Sequence, residues 1–303
     1  MSSPRLQDYS RLVAYPVQKK LLSLLDGYHR GEGAGSSHEF LDMAEYRYGD
    51  DISDIDWKGT ARRGQPVVKR FESTAVLSVT VASDTGASMA ALAEDGSAKN
   101  LVAAELVRAL SWLVSAHGDL LGLVAGSAGG VRSMPARAGV GHAETLLRVA
   151  SSATVSSGQS DLPALLRHVE LGRRRSLVFV ISDDSQISDA TAALLRRLTS
   201  RHQVGLFLIE DLDPTRPGDA KLGAKARAKQ DPTELVDVTA GPLPAFVEGN
   251  QVIEAQWRMF RKIRRQEVDR RLEALPLTYR RVGGMDDVLP ALVDVVGGGK
   301  RAA

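Results

Sequence analysis

The run Ser176 to Ile181, SLVFVI, is continuously apolar rather than alternating. A strand with one face in water repeats with period two, so an unbroken apolar strand requires cover on both faces. The surrounding segments can supply it. Val76 to Ala82, Leu120 to Ala125 and Gln203 to Ile209 read as three more buried strands. Lys99 to His117, Ala143 to Ala150, Leu162 to Val169 and residues 188–200 carry apolar residues at helical spacing. In the first of these helices Leu101, Leu106, Leu110 and Leu113 are expected to face inward. Strands alternating with helices of this length predict an α/β fold with a doubly wound, mainly parallel sheet. Val131 to Met134 fits a short edge strand, Leu277 to Val282 a last strand and Asp286 to Val296 a closing helix.

The first 75 residues have a different character. Residues 11–26 predict an amphipathic helix with Val17, Leu21, Leu24 and Leu25 on one face, ended by the glycine-rich stretch Gly31 to Ser37. The segment 38–75 mixes turns with short extended pieces, Val67-Val68 among them. We therefore expect residues 1–75 to form an N-terminal region and 76–296 the α/β domain. A proline- and glycine-rich excursion at 211–250, with the basic string KLGAKARAK, interrupts that domain. Gln251 to Leu272 predicts a strong helix striped by Ile253, Trp257, Phe260, Ile263 and Val268.

Composition excludes several function classes. The 303 residues contain no cysteine, and the six histidines show no metal-binding spacing, so thiolate sites and zinc hydrolases are set aside. A net charge of +2 and 5% aromatic residues give no footing to nucleic-acid binding. Arg173 to Arg175 and the row Arg258, Lys262, Arg265 read as solvated faces mixed with acids. Gly122 to Gly130 has no phosphate-binding loop pattern. No run approaches the ~18 apolar residues of a membrane span, so a cytoplasmic protein is expected.

Three loops carry candidate chemistry. Asp84-Thr85-Gly86-Ala87-Ser88 follows the first apolar strand, Gly158 to Leu162 precedes a helix, and Ile181-Ser182-Asp183-Asp184 ends the central strand. The carboxyl ends of parallel strands are where open α/β sheets place ligands. Converging there, Asp84, Ser88, Ser160 and Asp183 would supply two carboxylates and two hydroxyls, hard ligands suited to Mg2+. The competing reading is that each Asp or Ser merely caps the next helix. A fourth group, Asp50, Asp51, Asp54 and Asp56, forms an acidic knot that could receive a cation or a basic partner. Its plainer reading is a turn whose carboxylates accept local N–H groups, with Arg62, Arg63 or Arg47 pairing the acids and Trp57 anchoring the segment in the core.

The order D-x-G-x-S, G-x-S-D-L, then S-D after an apolar strand resembles the von Willebrand factor A fold with its metal-ion-dependent adhesion site. The upstream elements Glu39-Phe40, Glu45 to Asp51 (EYRYGDD), Ile55 to Trp57 (IDW) and Ala61-Arg62 resemble the family called domain of unknown function 58, the likeness running from about residue 28 to 210. The resemblance implies a bacterial intracellular binding module without established catalysis, often paired with a MoxR-type AAA+ ATPase. It implies Asp84, Ser88, Ser160 and Asp183 as Mg2+ ligands, while the functional reading of the acidic knot makes Asp50, Asp51, Asp56, Trp57 and Arg62 a binding segment. The chain departs from these patterns in three ways. Gly86 stands where the adhesion motif has serine, Ser160 replaces threonine, and Met43-Ala44 and Ser53-Asp54 stand where the family has arginine. A partner's carboxylate would complete the ion's coordination. The alternative is a metal-assisted hydrolase on the same rim, with Asp184 or Asp161 as its base.

Overall fold

Two compact units divide the chain, one of Leu25–Leu77 and one of Met1–Leu24 with Ser78–Ala303. The computed structural model describes residues 21, 37–47, 52, 55–74, 76–152, 158–172, 174–216, 236–237, 241–242, 244–247 and 249–297. The expected helix at 11–26 lies outside these except for Leu21, which is helical and buried.

In the smaller unit, β1 (Ser37–Glu45) pairs antiparallel with β2 (Val67–Thr74), the register slipping between Phe40 and Asp42. The helix α1 (Trp57–Arg63) hangs on β2. The Asp56 N–H bonds the Val67 carbonyl at 2.8 Å, and the Val67 N–H bonds Thr60 Oγ1 at 3.0 Å. Asp56 caps this helix by accepting the Lys58 N–H at 3.1 Å. Gly64 ends it at φ 72°, a left-handed position that costs glycine nothing.

The larger unit holds a six-stranded sheet. Its strands are β3 (Ser78–Asp84), β4 (Leu120–Ser127), β5 (Gly130–Arg137), β6 (Leu177–Asp183), β7 (Gln203–Ile209) and, after the two-residue pair β8 (Val236–Asp237) and β9 (Gly241–Pro242), β10 (Thr278–Val282). The order is β10-β7-β6-β3-β4-β5, parallel throughout except for β5 at the edge. The helices are α2 (Lys99–Ala116), α3 (Val140–Ser152), α4 (Leu162–Glu170), α5 (Asp189–Thr199), α6 (Gln251–Glu273) and α7 (Val288–Val296). One layer is formed by α2, α3 and α7, the other by α4, α5 and α6. Every residue of β6 is buried between them, as the unbroken apolar run requires. Val178 and Val180 face α4 and α5 among Leu165, Leu195 and Leu198.

The topology fixes where a ligand can bind. From β3 the chain crosses by α2 to β4 on one side, and from β6 it crosses by α5 to β7 on the other. The two connections leave in opposite directions, which opens a crevice over the carboxyl ends of β3 and β6. Asp84 and Asp183 are the last residues of those two strands.

Some expectations require correction. Leu101 is 56% exposed, because the buried stripe of α2 runs through Val102, Leu106, Leu110 and Leu113 instead. In α6, Phe260 and Ile263 are about half exposed, while Val268 and Leu272 are buried. The last turns of this helix meet the α4–α5 layer and its first turns do not. The edge strand β5 is eight residues long and pairs along most of β4. Within the excursion at 211–250, residues 217–235 lie outside the described set.

Helix α7 approaches the sheet over Gly205. A Cβ there would meet Val295 Cγ1 at 2.5 Å and Phe179 Cδ1 at 2.9 Å, so the side chain is absent because helix and ring fill its space. Gly205→Ala is expected to destabilise the protein by about 1–3 kcal/mol through overpacking. Urea unfolding would check this, and an unchanged midpoint would contradict the packing described.

Candidate functional site

Parallel pairing places Ser83 beside Ile181, which brings Asp84, Ser182 and Asp183 to one edge. The loop after β3 is folded on Asp84. The Gly86 N–H donates to Asp84 Oδ1 at 2.8 Å, and the Ser182 hydroxyl donates to Asp84 Oδ2 at 3.1 Å. The third loop is pinned against the first, with the Ala87 N–H on the Gly158 carbonyl at 2.9 Å. It is also pinned to the β4–β5 turn, with the Ala128 N–H on the Gln159 carbonyl at 2.9 Å. These backbone bonds set Ser160 Oγ 2.6 Å from Ser88 Oγ. Ser160 also lies beside the Asp84 carboxyl, and Ser88 beside that of Asp183. Asp84, Ser160, Ser88 and Asp183 thus converge from three loops.

The two carboxylates have opposite electrostatics. Both are buried, at 3% and 1% exposure. Burial raises the Asp84 carboxyl above the ordinary carboxylate range, against the pull of the Gly86 N–H and with the push of the Asp183 charge. Its donors, the Gly86 N–H and the Ser182 hydroxyl, are both neutral. Burial acts on Asp183 in the same direction, but the Lys99 ammonium and the Ser185 and Ser88 hydroxyls outweigh it and hold this carboxyl low. Lys99 Nζ lies 3.4 Å from Asp183 Oδ2 and also contacts Asp211 Oδ1. On its other oxygen, Asp183 accepts the Ser185 N–H at 2.8 Å and the Ser185 hydroxyl.

The donor set fits a small hard cation. Asp84 is a buried carboxylate with only neutral donors, and beside it two hydroxyls converge at a spacing close to the ~3 Å edge of an Mg2+ octahedron. Asp84, Ser88, Ser160 and Asp183 are the residues that could hold it. The set is one hydroxyl short of the full motif at Gly86, and the reason is steric. A Cβ there would lie 2.3 Å from Ser160 Cα and 2.4 Å from Ser160 N, so the serine of the motif has no room.

The remaining sequence candidates fall elsewhere. Asp56 is the cap of α1, and Arg62 is exposed in that helix's last turn. Trp57, expected in the core, is 69% exposed because α1 buries none of its residues. Asp50, Asp51 and Asp54 lie outside the described residues. Both proposed bases have partners. Asp161 accepts the Ala164 N–H as the cap of α4, and Asp184 pairs with Arg264 Nε at 3.1 Å and Arg281 Nη1 at 3.4 Å. The row on α6 is likewise engaged, Arg258 with Glu254 and Arg265 with Glu210.

Sequence reasoning missed Lys99, Ser182 and Ser185. For Lys99 a signal existed. A cation in the first turn of a helix opposes the helix dipole, so a lysine there needs a nearby anion. Nothing in the local sequence names Asp183, which is 84 residues away.

Two results are expected from this geometry. Gly86→Ser should destabilise the protein by about 1–3 kcal/mol, because backbone rather than a flexible side-chain tip must move; thermal unfolding measures it, and a neutral substitution would refute the close approach. The second concerns pH. Since the pKa of Asp84 is raised on folding, its contribution is fully present below the unfolded value near 3.8 and is lost as pH rises through the folded value. Asp84→Asn removes that loss, so in chelator-containing buffer its stability relative to wild type should increase between about pH 4 and pH 7. Urea midpoints at both pH values test this; a gap that stays constant would contradict it.

Uncharacterized proteins of Mycobacterium tuberculosis and Mycobacterium bovis are 29% identical to this chain over 219 residues, covering 71% of it and 67% of theirs. Among solved structures, BatB from Bacteroides thetaiotaomicron aligns with a TM-score of 0.45 and 14% identity over 74% of this chain and 98% of its own. An aerotolerance-related membrane protein from Bacteroides fragilis gives 0.42 and 15% over 73% and 99%. A von Willebrand factor type A protein from Catenulispora acidiphila gives 0.41 and 13% over 77% and 45%. A family model, described as protein of unknown function DUF58, matches residues 42–234. The match spans more than half of the sequence, and the chain belongs to that family.

Proposed function

We propose that this protein is a non-enzymatic interaction module that docks partners through the rim over β3 and β6. The observation that carries the reading is the convergence of Asp84, Ser160, Ser88 and Asp183 from three loops at the switch point of the sheet, with the two hydroxyls in hydrogen-bond contact. Asp84, Ser88, Ser160 and Asp183 would hold Mg2+, which when bound supplies a hard Lewis-acid centre open to an acidic oxygen of the partner. The protein's own contribution is positional. Gly86 lets the third loop lie against the first, and Ser182 and Ser185 orient the two carboxylates. Among the described residues no helix is long and apolar enough to cross a membrane. Family resemblance supports a MoxR-type AAA+ ATPase as the partner and an adaptor or co-chaperone role in remodelling other complexes. The helix cap made by Asp161 and the arginine pairs of Asp184 favour this reading over a metal-assisted hydrolase on the same rim.

The test is capture of the purified MoxR-type ATPase by the immobilised full chain, with Mg2+ or with chelator. Asp84→Ala should lower capture at least about tenfold, the scale of one lost charge-assisted contact. Unchanged capture by this variant would remove the rim from the mechanism. Loss in the variant but not with chelator would keep the rim and remove the metal.

A further inference from the structure

Lys99 is among the largest fully buried side chains described, and the docking rim by itself does not account for it. A lysine with 0% exposure is tolerated only where its charge is matched. Here the ammonium lies between Asp183, a rim ligand, and Asp211, which is 46% exposed. Asp211 is held in place by a backbone bridge to Ala93, on the same loop that leads into α2. Asp183 therefore already has a cation on Oδ2, while Oδ1 accepts the two Ser185 donors.

We propose that Lys99 is a built-in competitor for the divalent ion: its ammonium supplies positive charge to Asp183 and keeps ion affinity low while that contact lasts. The inference rests on the reading of the rim as a cation site. Two physical consequences follow. A divalent ion shared by Asp84 and Asp183 would sit close to a buried ammonium, in surroundings that screen like charges poorly. The ammonium already lies closer to Asp211 than to Asp183, so it stays paired if its contact with Asp183 is given up. A partner that turns Asp183 away from Lys99 would thereby free this carboxylate for the ion, which couples partner docking to ion capture.

The experiment is Mn2+ binding to the full chain by electron paramagnetic resonance, with thermal unfolding in the presence and absence of Mg2+. Wild type should bind Mn2+ weakly, and Lys99→Met should bind it at least about tenfold more tightly. Lys99→Met should also unfold at lower temperature than wild type, with Mg2+ restoring most of the loss while leaving wild type unmoved. A merely structural lysine would give the loss without the rescue. Wild type and Lys99→Met binding Mn2+ equally well would overturn the competitor role and leave the cation site standing. Binding to neither would overturn both. Should Lys99→Met fail to fold, wild type decides: tight Mn2+ binding that is abolished by Asp84→Asn would overturn the proposal.

Discussion

Two aspartates end adjacent parallel strands inside a sheet covered on both faces, and their burial is the constraint from which the rest of the site follows. An isolated buried carboxylate is costly, so each must be compensated by what surrounds it. For Asp183 the compensation is a buried ammonium and the paired donors of Ser185. For Asp84 it is two neutral donors, the Gly86 N–H after β3 and the Ser182 hydroxyl at the end of β6, with Ser160 of the loop before α4 beside them. That need draws the loops together as much as their own turn preferences do. It also explains why Lys99, which opens a helix, points into the protein rather than into water.

The crevice itself is a product of connectivity. Crossovers from β3 and β6 diverge, so no helix covers the ends of these strands, and the loops must finish the surface. Gly86 is the most economical device in that surface. Without a Cβ it lets the Ser160 backbone approach to where a side chain would stand, which brings the two hydroxyls within 2.6 Å. The departure from the adhesion motif is therefore built into the packing. On the far side of Asp183, the pairs from Asp184 to Arg264 and Arg281 tie the same loop to α6 and β10. The loop after β6 is thus gripped by basic residues on both sides of the sheet's centre.

Much of the architecture was legible in sequence because burial on two faces leaves a continuous apolar signature. β6 and β7 were read from their runs, and α4 and α5 from amphipathic spacing between them. The errors lie where periodicity does not say which of two neighbouring faces is inside. Leu101 and Val102 fit helical stripes one residue apart, and only packing selects the second. Phe260 and Ile263 belong to an apolar stripe that the layer of α4 and α5 does not reach. Trp57 shows the same limit in the smaller unit, where a large apolar residue begins a helix too short to bury a face.

For the site, the sequence by itself determined that Asp84, Ser88, Ser160 and Asp183 lie in loops at strand and helix ends, because a parallel α/β alternation puts such loops at one edge. It also fixed the missing hydroxyl at Gly86. What only the tertiary structure decided is the charge of the site. The spacing of residues along a chain carries no information on which cation reaches a carboxylate 84 positions away. That pairing arises where the start of α2 packs on β3 and β6, and among the described residues Asp183 and Asp211 are the anions that meet the buried Lys99.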